Sequence, residues 1–195
     1  MNKVIWPGST QLAPVPAVLV GTGGEGFKNN LITIAWAGIV CSAPPMLSVS
    51  VRPERYSYEA MTALREFTVN IPLASQARIV DWCGVVSGRD HDKFAEQKLT
   101  AQRGSQVAAP LVQECPLNLE CKVKDIIKLG SHDMFLAEIL AVQVSEEFID
   151  KNGRLDLERS GGVLGYVHGH YFNLGECIGH FGFSVRKKAG SIVRK

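Results

Sequence analysis

A cluster of hydroxyl and guanidinium groups follows the most apolar part of this chain, in the stretch SVSVRPERYSYEAM at residues 48–61. In an alternating strand, Ser48, Ser50 and Arg52 share one face. The turn that follows leads into a short helix, with Ser57 as its predicted N-cap. Guanidinium groups, a hydroxyl and free N–H groups at a helix start can together form a phosphate site. An exposed, salt-bridged turn is the alternative that these residues leave open.

The strand before this cluster has two different faces. In LITIAW, Thr33 and Ala35 alternate with Ile32, Ile34 and Trp36. Because successive side chains of a strand point to opposite faces, the small or hydroxyl side chains share one face and the bulky apolar ones the other. A flat polar ligand could therefore lie against the face that carries Thr33 and Ala35.

A second cationic feature lies further along the chain, in SGRDHDKF at residues 87–94. It places Arg89, His91 and Lys93 around the start of another predicted helix. Taken alone, this segment is an ordinary charged helix entrance, so it supports an anion site only in combination with the first cluster.

Two further motifs suggest chemistry that their surroundings do not support. GTGGEG at 21–26 matches G-x-G-x-x-G, but strand-like sequence follows it where a dinucleotide site needs a helix, so we predict a hairpin loop. His168 and His170 would share a strand face and could join Cys177 or His180 in a metal site. No further ligand falls at a recognisable spacing, so we expect packed or hydrogen-bonded histidines and no metal. The sequence contains no G-x-S-x-G motif, which would have indicated a hydrolase.

Composition and charge indicate an ordinary globular protein. The 195 residues are 46% hydrophobic and 21% charged, with a formal net charge of +2 at pH 7. This length can bury a core and suits one domain, which we predict over residues 1–185. Residues 186–195 are locally basic and are predicted to be a solvated tail. The balanced charge argues against a nucleic-acid partner.

Neither a membrane span nor a disulfide framework is predicted. The uncharged run at residues 31–51 is long enough to cross a bilayer, but Pro44-Pro45 would end a helix in its middle. Two buried strands joined by a turn fit this run better, and with no signal peptide apparent we expect a cytoplasmic protein. The cysteines form no C-x-x-C motif, and most are predicted to be reduced and buried. They are Cys41, Cys83, Cys115, Cys121 and Cys177.

Strand-like sequence dominates the chain. The predicted strands span residues 14–22, 31–42, 46–52, 66–72, 118–130, 134–149, 151–158, 162–169 and 170–176. The fifth and sixth of these are expected to form one long antiparallel hairpin. Short helices are predicted at 58–64, 75–86 and 90–97, the last beginning near Asp90 or Asp92. Strands without alternating long helices imply an antiparallel sheet. Closing such a sheet into a barrel leaves no exposed edge strands. We therefore predict an all-β dominated barrel with a few helical inserts.

Together these segments resemble the flavin reductase-like family of FMN-binding split barrels, and within it the flavoredoxins. No single segment is specific, but the ordered set is, and it runs over nearly the whole chain. The segments are NNLITIAWAGIVCSAPPMLSVSVRPERYSYEAM (29–61), FTVNIP (67–72), SGRDHDKF (87–94), GSHDMFLAEILAVQV (130–144) and YFNLGECIGHFG (171–182).

The resemblance implies a Greek-key split barrel, a homodimer, and one non-covalent FMN per subunit at or near the dimer interface. It implies isoalloxazine contacts from Asn30, Thr33, Ile34, Ala35 and Trp36. It implies that the ribityl chain and phosphate are held by Ser50, Arg52, Tyr56, Ser57 and Tyr58. Lys93 would approach the flavin or its phosphate, and Tyr166 or Tyr171 would cover a face of the ring.

The same resemblance implies an oxidoreductase in which NAD(P)H reduces bound FMN and electrons leave to free flavin, ferric iron or a redox protein. No catalytic side chain is then required, because the chemistry belongs to the cofactor. Two alternatives stay open. One is a flavoredoxin-type electron carrier reduced by a protein donor, and the other is a binding module without flavin.

Overall fold

Strands make up most of the fold in residues 1–156 and 161–185, which are the residues that the computed structural model describes. Its strands are β1 (Val15–Pro16), β2 (Val18–Gly24), β3 (Phe27–Ile34), β4 (Ala37–Ser42), β5 (Pro45–Val51), β6 (Glu66–Ile71), β7 (Ala101–Gln102), β8 (Leu111–Val112), β9 (Leu117–Lys128), β10 (Asp133–Val144), β11 (Leu164–Val167) and β12 (His170–Asn173). Its α-helices are α1 (Tyr56–Leu64), α2 (Ala77–Val85) and α3 (Lys93–Glu96), and short 3-10 helices cover Ala74–Gln76, Glu146–Phe148 and Phe183–Val185.

Seven strands form one antiparallel sheet in the order β3-β2-β6-β9-β10-β5-β4. β9 and β10 form the predicted long hairpin. The amide of Ser50 in β5 donates to the carbonyl oxygen of Trp36, in the connection between the two edge strands, at 2.9 Å. The sheet therefore curls back on itself as a split barrel, which confirms the predicted fold class. A separate small sheet, β1-β11-β12, lies beside it.

Apolar side chains cover both faces of the first strands. Val18, Val20 and Ile32 point into the barrel. The residues between them point outwards, where Leu31 packs in a second core with Val80 of α2. Because α2 and α3 cover the outer face of β3, the fold brings the cationic segment after α2 next to the cluster that follows β5.

The uncharged run at residues 31–51 forms the end of β3, then β4 and β5. The predicted turn lies at Ala43-Pro44, but only β5 alternates with buried positions. β4 is largely exposed because it is an edge strand, so the prediction of two buried strands is half right. Within the described ranges, no helix combines the length and apolar character needed to cross a membrane.

Some predicted strands are shorter than expected. The strand predicted at 31–42 is interrupted at Ala35-Trp36, because the chain turns there from one edge of the sheet to the other. The strand predicted at 151–158 is wrong for its described part, which forms a turn and a single bridge between Ile149 and Leu155. Its last two residues and the predicted tail at 186–195 lie outside the described residues.

The helices begin at residues that differ slightly from those predicted. Arg55 is the N-cap of α1, so the assignment of Ser57 as N-cap is wrong. Ser57 lies in the first turn and is buried. Asp92 is the N-cap of α3, where its carboxylate accepts from the Ala95 amide at 3.1 Å, and of the two predicted aspartates it is the one that caps.

The two motifs that lacked supporting context form hairpin turns. GTGGEG covers the last four residues of β2 and the two-residue turn to β3, with Gly26 at a φ of 79°. His168 and Gly169 form the turn between β11 and β12, with φ values of 44° and 90°. His168 therefore does not share a strand face with His170, and the described residues hold no metal-binding group of three ligands. All five cysteines are free, and three of them are buried as predicted.

Candidate functional site

A cavity of about 350 Å³ opens where β3 and β5 end. It is lined by Ala17, Ile32, Thr33, Ile34, Ala35, Trp36, Ser50, Val51, Arg52, Arg55, Asp81, Gly84, Val85, His132, Tyr166 and Tyr171. Its floor is therefore the end of the LITIAW strand, and its rim carries the residues that follow β5. We call this the ring cavity.

One wall of the ring cavity is helix α2, which lies very close to β3. The hydroxyl of Thr33 donates to the carbonyl oxygen of Val80. A methyl group at Gly84 would lie 3.1 Å from the Thr33 Cβ, which is closer than packed carbon atoms normally approach. The glycine therefore leaves the strand end open, and the Thr33 hydroxyl is already satisfied by the helix.

A second wall of the ring cavity comes from the small sheet. Tyr166 of β11 and Tyr171 of β12 pack edge to face, with ring centroids 5.5 Å apart. The Tyr171 hydroxyl donates to Asp81 of α2 at 3.2 Å. Burial, together with the neighbouring Asp81 carboxylate, raises the pKa of Tyr171 to about 12. This phenol therefore stays neutral and acts as a fixed donor.

Two arginine side chains place positive charge at the mouth of the ring cavity. Arg52 is half exposed and pairs with Glu54 at 3.6 Å. Arg55 lies on the same rim. Burial and the nearby Arg52 and Arg55 charges lower the pKa of His132, despite an opposing effect of Glu54. His132 is thus favoured as a neutral imidazole at the mouth.

A second cavity of about 210 Å³ continues from the first. Ile32, Arg55 and Gly84 line both, so the two form one elongated depression. The remaining lining residues come from β3, the turn before α1, α1, α2, the segment after α2, and α3. They are Asn30, Glu54, Tyr56, Ser57, Cys83, Val86, Ser87, Gly88, Arg89 and Lys93. We call this the phosphate cavity, for the chemistry described next.

Buried polar side chains fix the shape of the phosphate cavity. The Asn30 amide donates to the Ser57 hydroxyl oxygen at 2.8 Å, and the Thr22 hydroxyl donates to the same oxygen at 3.2 Å. A methyl group at Gly88 would lie 2.2 Å from Asn30 Oδ1 and 2.6 Å from the Tyr56 ring. Only a glycine fits at this position without displacing Asn30 or Tyr56.

Lys93 is the most deeply buried cation of the site, with 2% of its surface exposed. Its ammonium donates to the carbonyl oxygens of Leu31 and Cys83, each at 2.7 Å. Burial lowers the pKa of Lys93 to about 8, with the Arg55 charge adding to the effect. An ammonium has three N–H donors, so one is left for a group in the cavity.

The phosphate cavity has the character of an anion site. Arg55, Arg89 and Lys93 line it against a single carboxylate, that of Glu54. Arg89 also stacks on Tyr56, 5.8 Å from the ring centroid. The backbone N–H groups of several lining residues, among them Ser87 and Gly88, donate to no atom of the described part of the chain. Free N–H groups beside cations suit a phosphate.

The fold brings most of the predicted site residues together. Thr33, Ile34, Ala35, Trp36, Ser50, Arg52 and Tyr166 line the ring cavity, and Asn30, Tyr56, Ser57 and Lys93 line the phosphate cavity. Tyr58 lies elsewhere among the described residues. Its ring packs edge to face on Phe135, and its hydroxyl donates to Asp133 at 2.5 Å.

Several lining residues were not predicted. Arg55 was visible as the second arginine of its stretch, but its place on both cavities depends on the fold. Gly84 and Gly88 matter through contacts with Thr33 and Asn30, which lie far away in the sequence. His132 lies in the tip of the long hairpin, and no local pattern indicated that this tip reaches the site.

Comparison with known proteins agrees with this geometry. The flavin reductase like domain matches residues 10–175. Flavoredoxin of Desulfovibrio vulgaris (Miyazaki F) is similar with a TM-score of 0.88 and 33% identity, over 95% of this chain and 100% of that chain. Flavoredoxin from Methanosarcina acetivorans gives 0.84 and 29%, over the same shares.

A sequence relative carries an enzyme name. An NADPH-flavin oxidoreductase of Streptomyces viridifaciens is 27% identical over 161 residues, which are 80% of this chain and 81% of the relative. The family match extends over far more than half of the chain, and both cavities lie within it. The chain therefore belongs to the flavin reductase like domain family, with the FMN-binding split-barrel fold.

Proposed function

We propose that this protein is an oxidoreductase that holds one non-covalent FMN in the ring and phosphate cavities. The observation that carries this proposal is the shape and charge of the joined depression. One end is broad, bounded by a strand end and two tyrosines, and the other is narrow and cationic. A flat ring joined by a polar chain to a phosphate has the same order of parts.

The residues present fit this cofactor. Thr33, Ile34, Ala35 and Trp36 would bound the ring, with Tyr166 on the wall that the small sheet supplies. Ser50 and Arg52 would lie along the ribityl chain. The phosphate end would be held by Arg55, Lys93 and the free amides of Ser87 and Gly88, in a cavity whose walls are set by Asn30, Tyr56 and Ser57.

Bound FMN would supply the electron-transfer chemistry, since its ring accepts a hydride and releases electrons. The protein's own contribution is to bind, orient and shield. α2 and the tyrosine pair both line the ring cavity, and the Tyr171–Asp81 hydrogen bond joins them. Arg52 and Arg55 place positive charge at the mouth, which favours the approach of an anionic nucleotide.

We further propose that NAD(P)H is the electron donor and that free flavin, ferric iron or a redox protein is the acceptor. The similarity to a protein named NADPH-flavin oxidoreductase supports this donor. A flavoredoxin-type carrier, reduced by a protein, is the second candidate, and the likeness to two flavoredoxins favours it. Neither requires a catalytic side chain.

Binding is tested first, by titrating protein freed of flavin with FMN and with riboflavin. The phosphate cavity predicts that FMN binds at least about tenfold more tightly, since charge-assisted bonds to phosphate are absent with riboflavin. Equal affinities would remove the phosphate assignment. A protein that binds neither flavin would instead be a binding module of another kind.

The donor is tested next, by mixing the FMN-loaded protein with NADH or NADPH without air and following the flavin absorbance. Reduction of the bound flavin by NADH or NADPH at a rate above that of free FMN supports the NAD(P)H-dependent enzyme. If only a reduced iron–sulfur or similar redox protein bleaches the flavin, the carrier is the correct reading.

A homodimer remains a prediction from the family resemblance, and a cytoplasmic location remains a prediction from the sequence. Exposed apolar side chains support the dimer: Ile39 and Val40 of β4 are 66% and 51% exposed, and Leu140 and Val142 of β10 are 41% and 52% exposed. Light scattering on the purified protein measures its molecular mass in solution and so tests the dimer. A monomer at micromolar protein concentration would contradict the dimer.

A further inference from the structure

The carboxylate of Asp81 lines the ring cavity, and the proposed anchoring of FMN does not use it. Asp81 is exposed on α2, and it makes no ion pair with any described residue. Its hydrogen bond with the Tyr171 hydroxyl, at 3.2 Å, crosses from α2 to β12. The carboxylate therefore serves as the acceptor that holds this phenol against the helix.

Helix α2 is itself fixed to the floor of the ring cavity by residues next to Asp81. The carbonyl oxygen of Val80 accepts from the Thr33 hydroxyl of β3. Gly84, about one helical turn after Asp81, lies so close to this strand that an added methyl group would be 3.1 Å from the Thr33 Cβ. The contact between α2 and β3 therefore sets the position of the Asp81 carboxylate.

The β11–β12 hairpin is bonded to the rest of the chain at two places. Just before β11, the Gly162 carbonyl oxygen accepts from the Ala74 amide at 2.9 Å. Among the described residues, the hydrogen bond that joins β12 to α2 is that of Tyr171 with Asp81. Tyr166 packs edge to face on Tyr171, with ring centroids 5.5 Å apart. The acceptor that holds Tyr171 therefore also fixes the place of Tyr166.

We propose that Asp81 is a positioning residue, which holds Tyr171 and through it Tyr166 at a fixed place on the wall of the ring cavity. The inference rests on the proposed function. A flat ring is bound best by a wall that does not move, because a gap of about 0.5–1 Å already loses a quarter to a half of the dispersion attraction. Asp81 thus governs how tightly the ring of the flavin is held, and the cations govern its phosphate.

The test compares affinities of the flavin-free protein for FMN and for riboflavin, in the parent and in variants. Asp81→Ala and Tyr171→Phe should each weaken both ligands equally, by about threefold to tenfold, because the two ligands share the ring. Combining these two substitutions should add little, since both remove the same hydrogen bond. Asp81→Asn keeps an acceptor oxygen and should bind both ligands within about twofold of the parent. Glu59→Ala, which removes an exposed carboxylate of α1, is the matched control and should change neither affinity.

NMR spectra of tyrosine-labelled protein without flavin give a second readout and show whether each variant is folded. The Tyr171 Cζ resonance, assigned with Tyr171→Phe, should move in Asp81→Ala and return towards the parent position in Asp81→Asn.

Three results would overturn the proposal. The Tyr171 resonance could stay in place in Asp81→Ala, FMN could weaken much more than riboflavin, or Asp81→Asn could bind as poorly as Asp81→Ala. In each of these results the parent still binds FMN, so the proposed function stands. A parent that binds neither flavin would end both.

Discussion

The ammonium of Lys93 donates to the carbonyl oxygens of Leu31 and Cys83 at equal distances of 2.7 Å. One acceptor belongs to β3 and the other to α2, so a single cation joins the strand beneath the ring cavity to the helix that walls it. The same cation lines the phosphate cavity. Lys93 therefore both holds α2 against β3 and supplies positive charge to the phosphate cavity.

Lys93 should make FMN affinity depend on pH. Its pKa is lowered to about 8, so the unliganded protein loses this charge as pH rises through 8. A phosphate dianion favours the charged form, so binding takes up a proton above that pH. We expect the FMN affinity to be level between pH 7 and 8 and to fall above it by at most about tenfold per pH unit. Titrations from pH 7 to 10 measure this.

Lys93→Gln is the control for that profile. The glutamine amide keeps donors for the two carbonyl oxygens but cannot titrate. Its FMN affinity should be lower at pH 7 and should not decline above pH 8. A decline as steep as in the parent would assign the pH dependence to another group.

The two arginines of the opening stretch should differ in their effect on FMN. Arg55 lines both cavities, whereas Arg52 lines one and is half exposed beside Glu54. Arg55→Ala should weaken FMN by about 1–2 kcal/mol, and Arg52→Ala by less than about 1 kcal/mol, because solvent screens an exposed pair. Calorimetric titration measures both. Arg78→Ala, on the exposed side of α2, should change nothing, and a larger effect of Arg52 would reverse the assignment.

Gly88→Ala should damage the phosphate cavity without a change of charge. The new methyl group would lie 2.2 Å from Asn30 Oδ1, so Asn30 or the backbone must shift. We expect a loss of about 1–3 kcal/mol in unfolding free energy and clearly weaker FMN binding. Denaturant unfolding and FMN titration measure the two effects. Gly38→Ala in β4 has open space around it, and it should behave as the parent does.

Glu120 should make the fold sensitive to acid. Its side chain is fully buried and accepts from the amides of Ser105, Gln106 and Val107. Burial by itself would raise the pKa of this carboxyl, but these hydrogen bonds outweigh it and lower the pKa to about 2. The ionised form therefore stabilises the fold above pH 4.5, and this stability is lost as pH falls towards 2.

The lowered pKa of Glu120 corresponds to about 3 kcal/mol of unfolding free energy at most. Unfolding free energies measured from pH 6 to pH 2.5 should decline in the parent. Glu120→Gln should be less stable at pH 6 and show a smaller decline. Glu59→Gln, at an exposed position of α1, should keep the parent's profile; if it flattens the profile equally, Glu120 is not the group responsible.

The sequence predicted the barrel, and eleven of its twelve predicted cofactor-binding residues line the two cavities, because both depend on strand patterns and on an ordered set of motifs. It misassigned Ser57, because a serine at a helix start favours capping locally. The fold instead buries its hydroxyl as the acceptor for Thr22 and Asn30, and both donors are distant in the sequence. Tyr58 shows the same limit, since Asp133 lies 75 residues further along the chain.

Tyr166 and Tyr171 belong to a sheet that is separate from the barrel and its helices, which supply Asn30, Ser57 and Lys93. With FMN bound as proposed, retention of the nucleotide and choice of its reaction partner would be divided between these two structural units. Substitutions in the β11–β12 hairpin would then change which electron acceptors can reach the FMN ring. The groups that hold the FMN phosphate would not be altered. We expect relatives with unlike acceptors to vary in this hairpin more than around the anion-holding end.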